Sequence, residues 1–203
     1  MRARELAVAG CVEFTPTVFP DDRGLFVAPF QEPGFVDAIG HRLFPVAQTN
    51  YGKSRRGVMR GLHFTRTPPG GAKYVYCPRG RALDIAVDIR VGSPSYGRWD
   101  AVVLDGDDFR AVYIPIGVGH AFVALEDDTL LTYMTSAPYV PKDEIGLFAF
   151  DPALRLPIPT DIEVKVSDRD RLAPTLAEAR DLGILPLFDD CLAAEHDLFH
   201  CGD

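Results

Sequence analysis

Long apolar runs are missing from this chain. None approaches the ~20 residues a membrane-spanning helix requires, and Met1-Arg2-Ala3-Arg4-Glu5 has no signal-peptide apolar core. A cytoplasmic protein with no membrane partner is the expectation. Positive charge is also scarce: 21 Lys and Arg face 29 Asp and Glu, a formal net charge of -8, which argues against nucleic acid as a partner. The four cysteines, Cys11, Cys77, Cys191 and Cys201, show no framework-like spacing, so free thiols in a reducing compartment are expected. There is no His-x-His pair, and the central region offers only His63 and His120. A mononuclear site needs about three clustered ligands, so no metal is expected. Cys191, His196, His200 and Cys201 could bind zinc, but their spacing fits no strong pattern and an amphipathic helix explains them. Nucleophilic catalysis lacks support too. No Gly-x-Ser-x-Gly elbow or reactive cysteine context occurs. Gly117-Val118-Gly119-His120 lacks the rest of a dinucleotide fingerprint and falls between strand patterns.

What is present is a strand-and-turn protein. Its 203 residues, 47% hydrophobic and 25% charged, suit one medium globular domain with a real core. Leu83, Ile85, Val87 and Ile89 alternate with Asp84, Ala86, Asp88 and Arg90, the pattern of a half-buried strand. Further strands are expected at Phe44–Asn50, Ala101–Leu104, Ala111–Ile114, Ala121–Leu125 and Leu130–Thr135, with edge strands in 1–30 around an Asp21-Asp22-Arg23-Gly24 turn. Short strands spaced by roughly 8–12 residues indicate an antiparallel sandwich or barrel. Seventeen prolines and eighteen glycines suit that many turns. Gln31–Ile39 can hold a short helix entered through Pro33. In the tail, Thr175-Leu176-Ala177-Glu178 is a capping box closed by Gly183, and a second helix is expected over Asp189–Phe199. One all-β domain over 1–203 follows, with a core of about 1–170 and a helical C-terminal part of about 171–203.

The most informative stretch is Arg55-Arg56-Gly57-Val58-Met59-Arg60-Gly61-Leu62-His63-Phe64. Glycine inside a strand marks a bulge or a close backbone approach, and histidine moves protons near neutral pH. Lys53, Arg55, Arg56 and Arg60 form a basic cluster in an acidic chain, which fits a small anionic ligand or a solvated loop. With nucleophiles and metals set aside, proton transfer remains, carried by His63, His120, Lys73, Tyr133 and Asp170. Taken singly each has a plain structural reading: Tyr133 as core, Lys73 as a solvated strand start, His63 as a buried, bonded histidine.

The ordered combination says more. Arg56-Gly57-x-x-Arg60-Gly61-Leu62-His63 is followed by Pro68-Pro69-x-x-Ala72-Lys73 and Asp88-Ile89-Arg90-x-Gly92-Ser93-Pro94-x-x-Gly97-x-Trp99. Then come Ile114-Pro115-x-Gly117-x-x-His120-x-Phe122, Tyr133, Tyr139-x-Pro141-x-x-Glu144, Asp151-Pro152 and Ser167-x-x-Asp170. Over about residues 1–190 the chain resembles the dTDP-4-dehydrorhamnose 3,5-epimerase family. Pro-Pro-Gly-x-Ala-Lys-Tyr-Val at 68–75 and Ala-Leu-Glu-Asp-Asp-Thr at 124–129 resemble its branch in actinomycete antibiotic deoxysugar biosynthesis.

The resemblance implies a cupin-type jelly-roll homodimer that needs no cofactor and acts on a dTDP-linked 4-keto-6-deoxyhexose. It implies His63 as base, oriented by Asp170, with Tyr133 as acid and Lys73, beside His120, stabilising an enolate. Arg60 and Arg23 would hold the diphosphate, and Phe26, Gln48, Asn50, Tyr139 and Glu144 the nucleotide or sugar, with Arg23 and Phe26 reaching the neighbouring subunit's site. Epimerisation at C-3 or C-5 alone, or a 3,4-ketoisomerisation of the same substrates, are the alternatives. Two points need the structure. Strict alternation puts Arg60 and His63 on opposite strand faces, unless Gly61 makes a bulge or Arg60 reaches in from the strand's end. The chain also departs from the family pattern: Thr65 stands for a glutamine, and Ala149 and Ile158 stand for tryptophans. These changes are expected in the packing around the sugar, where they would bear on which carbons are inverted.

Overall fold

Turn chemistry and strand propensity close this chain into two antiparallel sheets, in a computed structural model that describes residues 1–200. One sheet has six strands in the order β1 (Arg2–Glu5), β2 (Val12–Thr15), β10 (Ala111–Ile114), β7 (Lys73–Arg79), β12 (Thr129–Thr135) and β5 (Gln48–Ser54). The other runs β13 (Glu144–Gly146), β6 (Met59–Thr65), β11 (Gly119–Ala124), β8 (Arg81–Val87) and β9 (Trp99–Asp105). A two-stranded hairpin, β3 (Val18–Asp21) and β4 (Gly24–Val27), stands apart. This is a cupin-like jelly roll.

Between the sheets, Val75, Cys77, Val112, Ile114 and Leu131 from the first meet Ala82, Ala86, Val102, Leu104 and Phe122 from the second. Each fully buried residue of Val or Leu size contributes roughly 1.5–3 kcal/mol. The outer faces are covered as well. Leu62, Phe64, Ile85, Val87 and Val123 pack under Leu147, Leu154, Ala179 and Leu185 from the later chain. On the six-stranded sheet, Phe14, Tyr74 and Tyr113 pack with Phe35 of α1 (Glu32–Ile39) and with Cys191, Ala194 and Leu198 of α4 (Phe188–His200).

Double coverage corrects the half-buried reading of 83–90. The apolar set Ile85 and Val87 faces the outer layer, while the set containing Asp84 faces the interior, and both are buried. The strand itself stops at Val87. Asp88 and Arg90 instead form a buried ion pair at 2.9 Å, joined by Ser93 and Ser95, with Arg90 donating to the Ala9 carbonyl at 2.7 Å. The strand expected over Phe44–Asn50 begins only at Gln48, because Pro45 has no amide to give a ladder and Phe44 is buried beside Tyr113. Nor does His120 fall between strands: it lies inside β11. Three helices come close to expectation: α1 has proline in its first turn, α3 (Leu176–Asp181) has Thr175 and Glu178 in a full capping box, and α4 covers the expected 189–199. The short α2 (Asp168–Arg171), capped by Ser167, was not expected.

The bulge is real and sits at Gly61. His63 pairs with His120 and Arg60 with Phe122, so β6 uses one residue more than β11 over the same span. Gly61 has φ +106°, and a Cβ there would lie 2.5 Å from the His120 carbonyl oxygen and 2.7 Å from Ala121 Cα. Only glycine fits.

Candidate active site

The extra residue brings Arg60 and His63 to the same cavity, a cleft of about 710 Å³ between the sheets. That resolves the alternation problem in favour of the bulge. From β6 and β11, His63 and His120 enter the cavity side by side, since they are register partners. The six-stranded sheet supplies Lys73 from the start of β7, Tyr133 from β12, and Gln48 and Asn50 from β5. Two sheets thus present histidines on one wall and lysine and tyrosine on the other. Gln48 Nε2 donates to Asn50 Oδ1 at 2.5 Å, as expected of two residues on one strand face. The Gln48 side-chain oxygen accepts from the Tyr139 amide at 2.9 Å, which fixes the cavity rim.

Each histidine rests on a carboxylate. His63 Nε2 lies 2.6 Å from Asp170 Oδ1. A carboxylate can only accept, so Nε2 carries the proton and Nδ1 keeps a free lone pair. Asp170 is positioned by α2, its amide donating to the Ser167 hydroxyl that caps the helix. His120 Nε2 lies 2.7 Å from Asp84 Oδ2 on β8. Burial lowers the His63 pKa from its usual value; Asp170 opposes that, while Lys73 and Arg169 add to it. Lys73 is lowered by burial and pulled back up by Glu144 and Asp84. The Tyr133 phenol is raised, first by burial and then by Glu144. At neutral pH the set therefore offers a neutral imidazole beside a protonated phenol, which is the pairing needed for proton abstraction and return.

Ten of the twelve expected site residues line this one cavity: His63, Tyr133, Asp170, Lys73, Gln48, Asn50, Arg60, His120, Tyr139 and Glu144. Arg23 and Phe26 do not. They sit on the β3–β4 hairpin outside it, where Arg23 pairs with Asp21 and Phe26 is 70% exposed. Among the described residues no group of three or more His, Cys, Asp or Glu is placed to hold a metal ion. Cys11, Cys77 and Cys191 are free and buried; Cys201 lies outside the described residues.

Several lining residues were not anticipated. Lys165 reaches the cavity because its segment lies alongside Val58, with paired backbone bonds to Gly57 and Met59. Nothing in its own composition signals that. Arg169, an unspecified position inside Ser167-x-x-Asp170, lines the cavity and donates to the Glu144 carbonyl. Thr65, expected in the packing around the sugar, is in the wall, its hydroxyl on the Glu144 carboxylate at 2.6 Å. By contrast, Ala149 and Ile158 are not around the cavity at all. They line a separate pocket of about 390 Å³ with Phe150, Leu156 and Ile162. The missing tryptophans leave the walls of the candidate site untouched.

A cupin-like jelly roll enclosing histidines, a lysine and a tyrosine in one cavity is equipped for isomerisation by proton transfer. The sequence profile of dTDP-4-dehydrorhamnose 3,5-epimerase matches residues 5–178. The dTDP-4-dehydrorhamnose 3,5-epimerase of Mycolicibacterium smegmatis is 50% identical over 194 residues, 95% of this chain and 94% of that protein. The solved rmlC epimerase of Mycobacterium tuberculosis superposes with a TM-score of 0.92 at 43% identity, covering 98% of this chain and 100% of the other. ChmJ, a 3'-monoepimerase from Streptomyces bikiniensis solved with dTDP-quinovose, gives a TM-score of 0.90 at 43% identity over 95% and 97% of the two chains. The chain belongs to the dTDP-4-dehydrorhamnose 3,5-epimerase family.

Proposed function

We propose that this protein inverts C-3, or C-3 and C-5, of a dTDP-linked 4-keto-6-deoxyhexose by proton transfer alone. The observation that carries this is the opposition of the His63–Asp170 pair to Tyr133 across a single cavity. His63 Nδ1 takes the proton alpha to the C-4 ketone, and the negative charge moves to the C-4 oxygen. Lys73 and His120 stabilise that enolate, an effect worth roughly 10²–10³ in rate for a single well-placed donor. Tyr133 returns a proton to the opposite ring face. Its raised pKa suits a donor to a strongly basic enolate carbon, since it stays protonated until needed. Arg60 pairs with the diphosphate, Gln48 and Asn50 hold the base, and Tyr139 and Glu144 line the sugar's place. No cofactor enters this scheme.

The whole chain works as one catalytic domain, in the cytoplasm and as a homodimer. The exposed hairpin then delivers Arg23 and Phe26 to the partner's cavity, since they do not reach their own. Among the described residues no helix is long and apolar enough to cross a membrane.

The test is incubation with dTDP-4-keto-6-deoxyglucose in D2O, with C-3 and C-5 followed by NMR. Deuterium with inversion at both carbons makes it a 3,5-epimerase. Label and inversion at C-3 only makes it a single-centre enzyme like the 43% identical monoepimerase. Tyr133→Phe should keep exchange while losing inversion. No label at either carbon would refute the proposal.

A further inference from the structure

Glu144 is held at its carboxylate, its carbonyl and its strand pairing. It opens β13, where it pairs directly with Thr65 at the end of β6. Thr65 Oγ1 donates to Glu144 Oε1 at 2.6 Å, and Arg169 takes the Glu144 carbonyl. Gly71 leaves the threonine room, since a Cβ there would lie 3.1 Å from its hydroxyl oxygen. Two residues on is Lys73, and all of these groups line the same cavity. A charge-assisted hydrogen bond at one oxygen restricts where the carboxylate can place its charge.

We propose that Thr65 is a positioning residue for the epimerisation: its hydroxyl aims Glu144 at the wall carrying Lys73 and Tyr133, and so decides how often an enolate is reprotonated by Tyr133 rather than returned by His63. This rests on the function proposed above. The electrostatics run the same way at both targets. Glu144 does more than Asp84 to hold the Lys73 ammonium up against burial. After burial, its charge also does most to raise the Tyr133 phenol, where Arg60 opposes and Tyr139 adds. Both groups must be protonated to act. Releasing Glu144 therefore lets both lose their protons at lower pH, and activity fails earlier on the alkaline side.

The experiment compares the native protein with Thr65→Val and Thr65→Ser on dTDP-4-keto-6-deoxyglucose in D2O, measuring exchange, inversion and the pH dependence of kcat. Thr65→Val should move the alkaline limb down by about one pH unit and, on that limb, lower the ratio of inversion to exchange about tenfold, with KM changed less than about twofold. Thr65→Ser, which keeps the hydroxyl, should restore both. Should Thr65→Val fail to fold, Glu144→Gln keeps the hydrogen bond without the charge and should show the same downward shift. An unchanged limb and ratio in the valine variant, or in the glutamine variant where valine does not fold, would overturn the role of Thr65. Absence of exchange in the native protein would instead overturn the epimerase reading itself.

Discussion

His63 and His120 stand opposite one another on adjacent strands, each on a carboxylate, at 2.6 and 2.7 Å. Their surroundings differ. The His63 side chain is 29% exposed and its partner Asp170 comes from α2, outside the sheets. The His120 side chain is 9% exposed, and Asp84 belongs to the neighbouring strand of the same sheet. A base must touch substrate and then give up its proton, so it needs an open face and an orienting group behind it. A group that only presents polarity to a developing charge works best when it is enclosed and already in place. On the proposed function, one strand pair divides a single residue type into two jobs, by where each carboxylate arrives from.

The sharpest way to break that division is His63→Asn, which removes the only lone pair assigned to proton abstraction. Exchange of the alpha proton, read by NMR in D2O, should fall by about 10³-fold, within the range a general base contributes. Persistent exchange would move the base to His120 and reverse the comparison.

Asp170→Asn should cost less, about 10²-fold in kcat, because the imidazole remains but its tautomer and orientation are no longer fixed. The pH profile sharpens this. His63 must be unprotonated to act, and burial already lowers its pKa below the ordinary 6.5, with Asp170 pulling upward. The native acid limb should lie below pH 6.5, and in Asp170→Asn it should move lower still, since the upward pull is gone. A limb that moved up would mean that the observed titration belongs to another group.

The residues gathered in the cavity were reached through the ordered motifs of the family resemblance; taken singly, His63, Lys73 and Tyr133 each had a plain structural reading. What sequence could not supply was placement across space. Whether Gly61 let Arg60 and His63 share a face depended on its contact with His120 and Ala121, which are nearly sixty residues away in the chain. Lys165 enters only because a late segment lies along Val58. Ala149 and Ile158 follow the catalytic strands in sequence yet pack in a different pocket, so proximity of motifs misled about proximity of atoms. The alternation at 83–90 gave a strand but overran its end at Val87 and gave its environment wrongly, because a period of two does not tell which face meets a cavity and which meets a covering layer.

Asp84→Asn is the mildest break and tests the enclosed half of the comparison. The carboxamide is close in size to the carboxylate, so the buried position, 2% exposed, keeps its packing. His120 loses its charged partner but is not asked to move a proton, so alpha-proton exchange should survive, with kcat down about tenfold or less. The acid limb should stay where it is, because Asp84 is not among the groups acting on His63. The alkaline limb should fall, since Asp84 is one of the two carboxylates that keep Lys73 charged against burial. One limb moving while the other stays fixed is what separates a fixed-charge pair from a proton-moving one. Movement of the acid limb would show that the two histidines titrate as a unit, and the division between them would collapse.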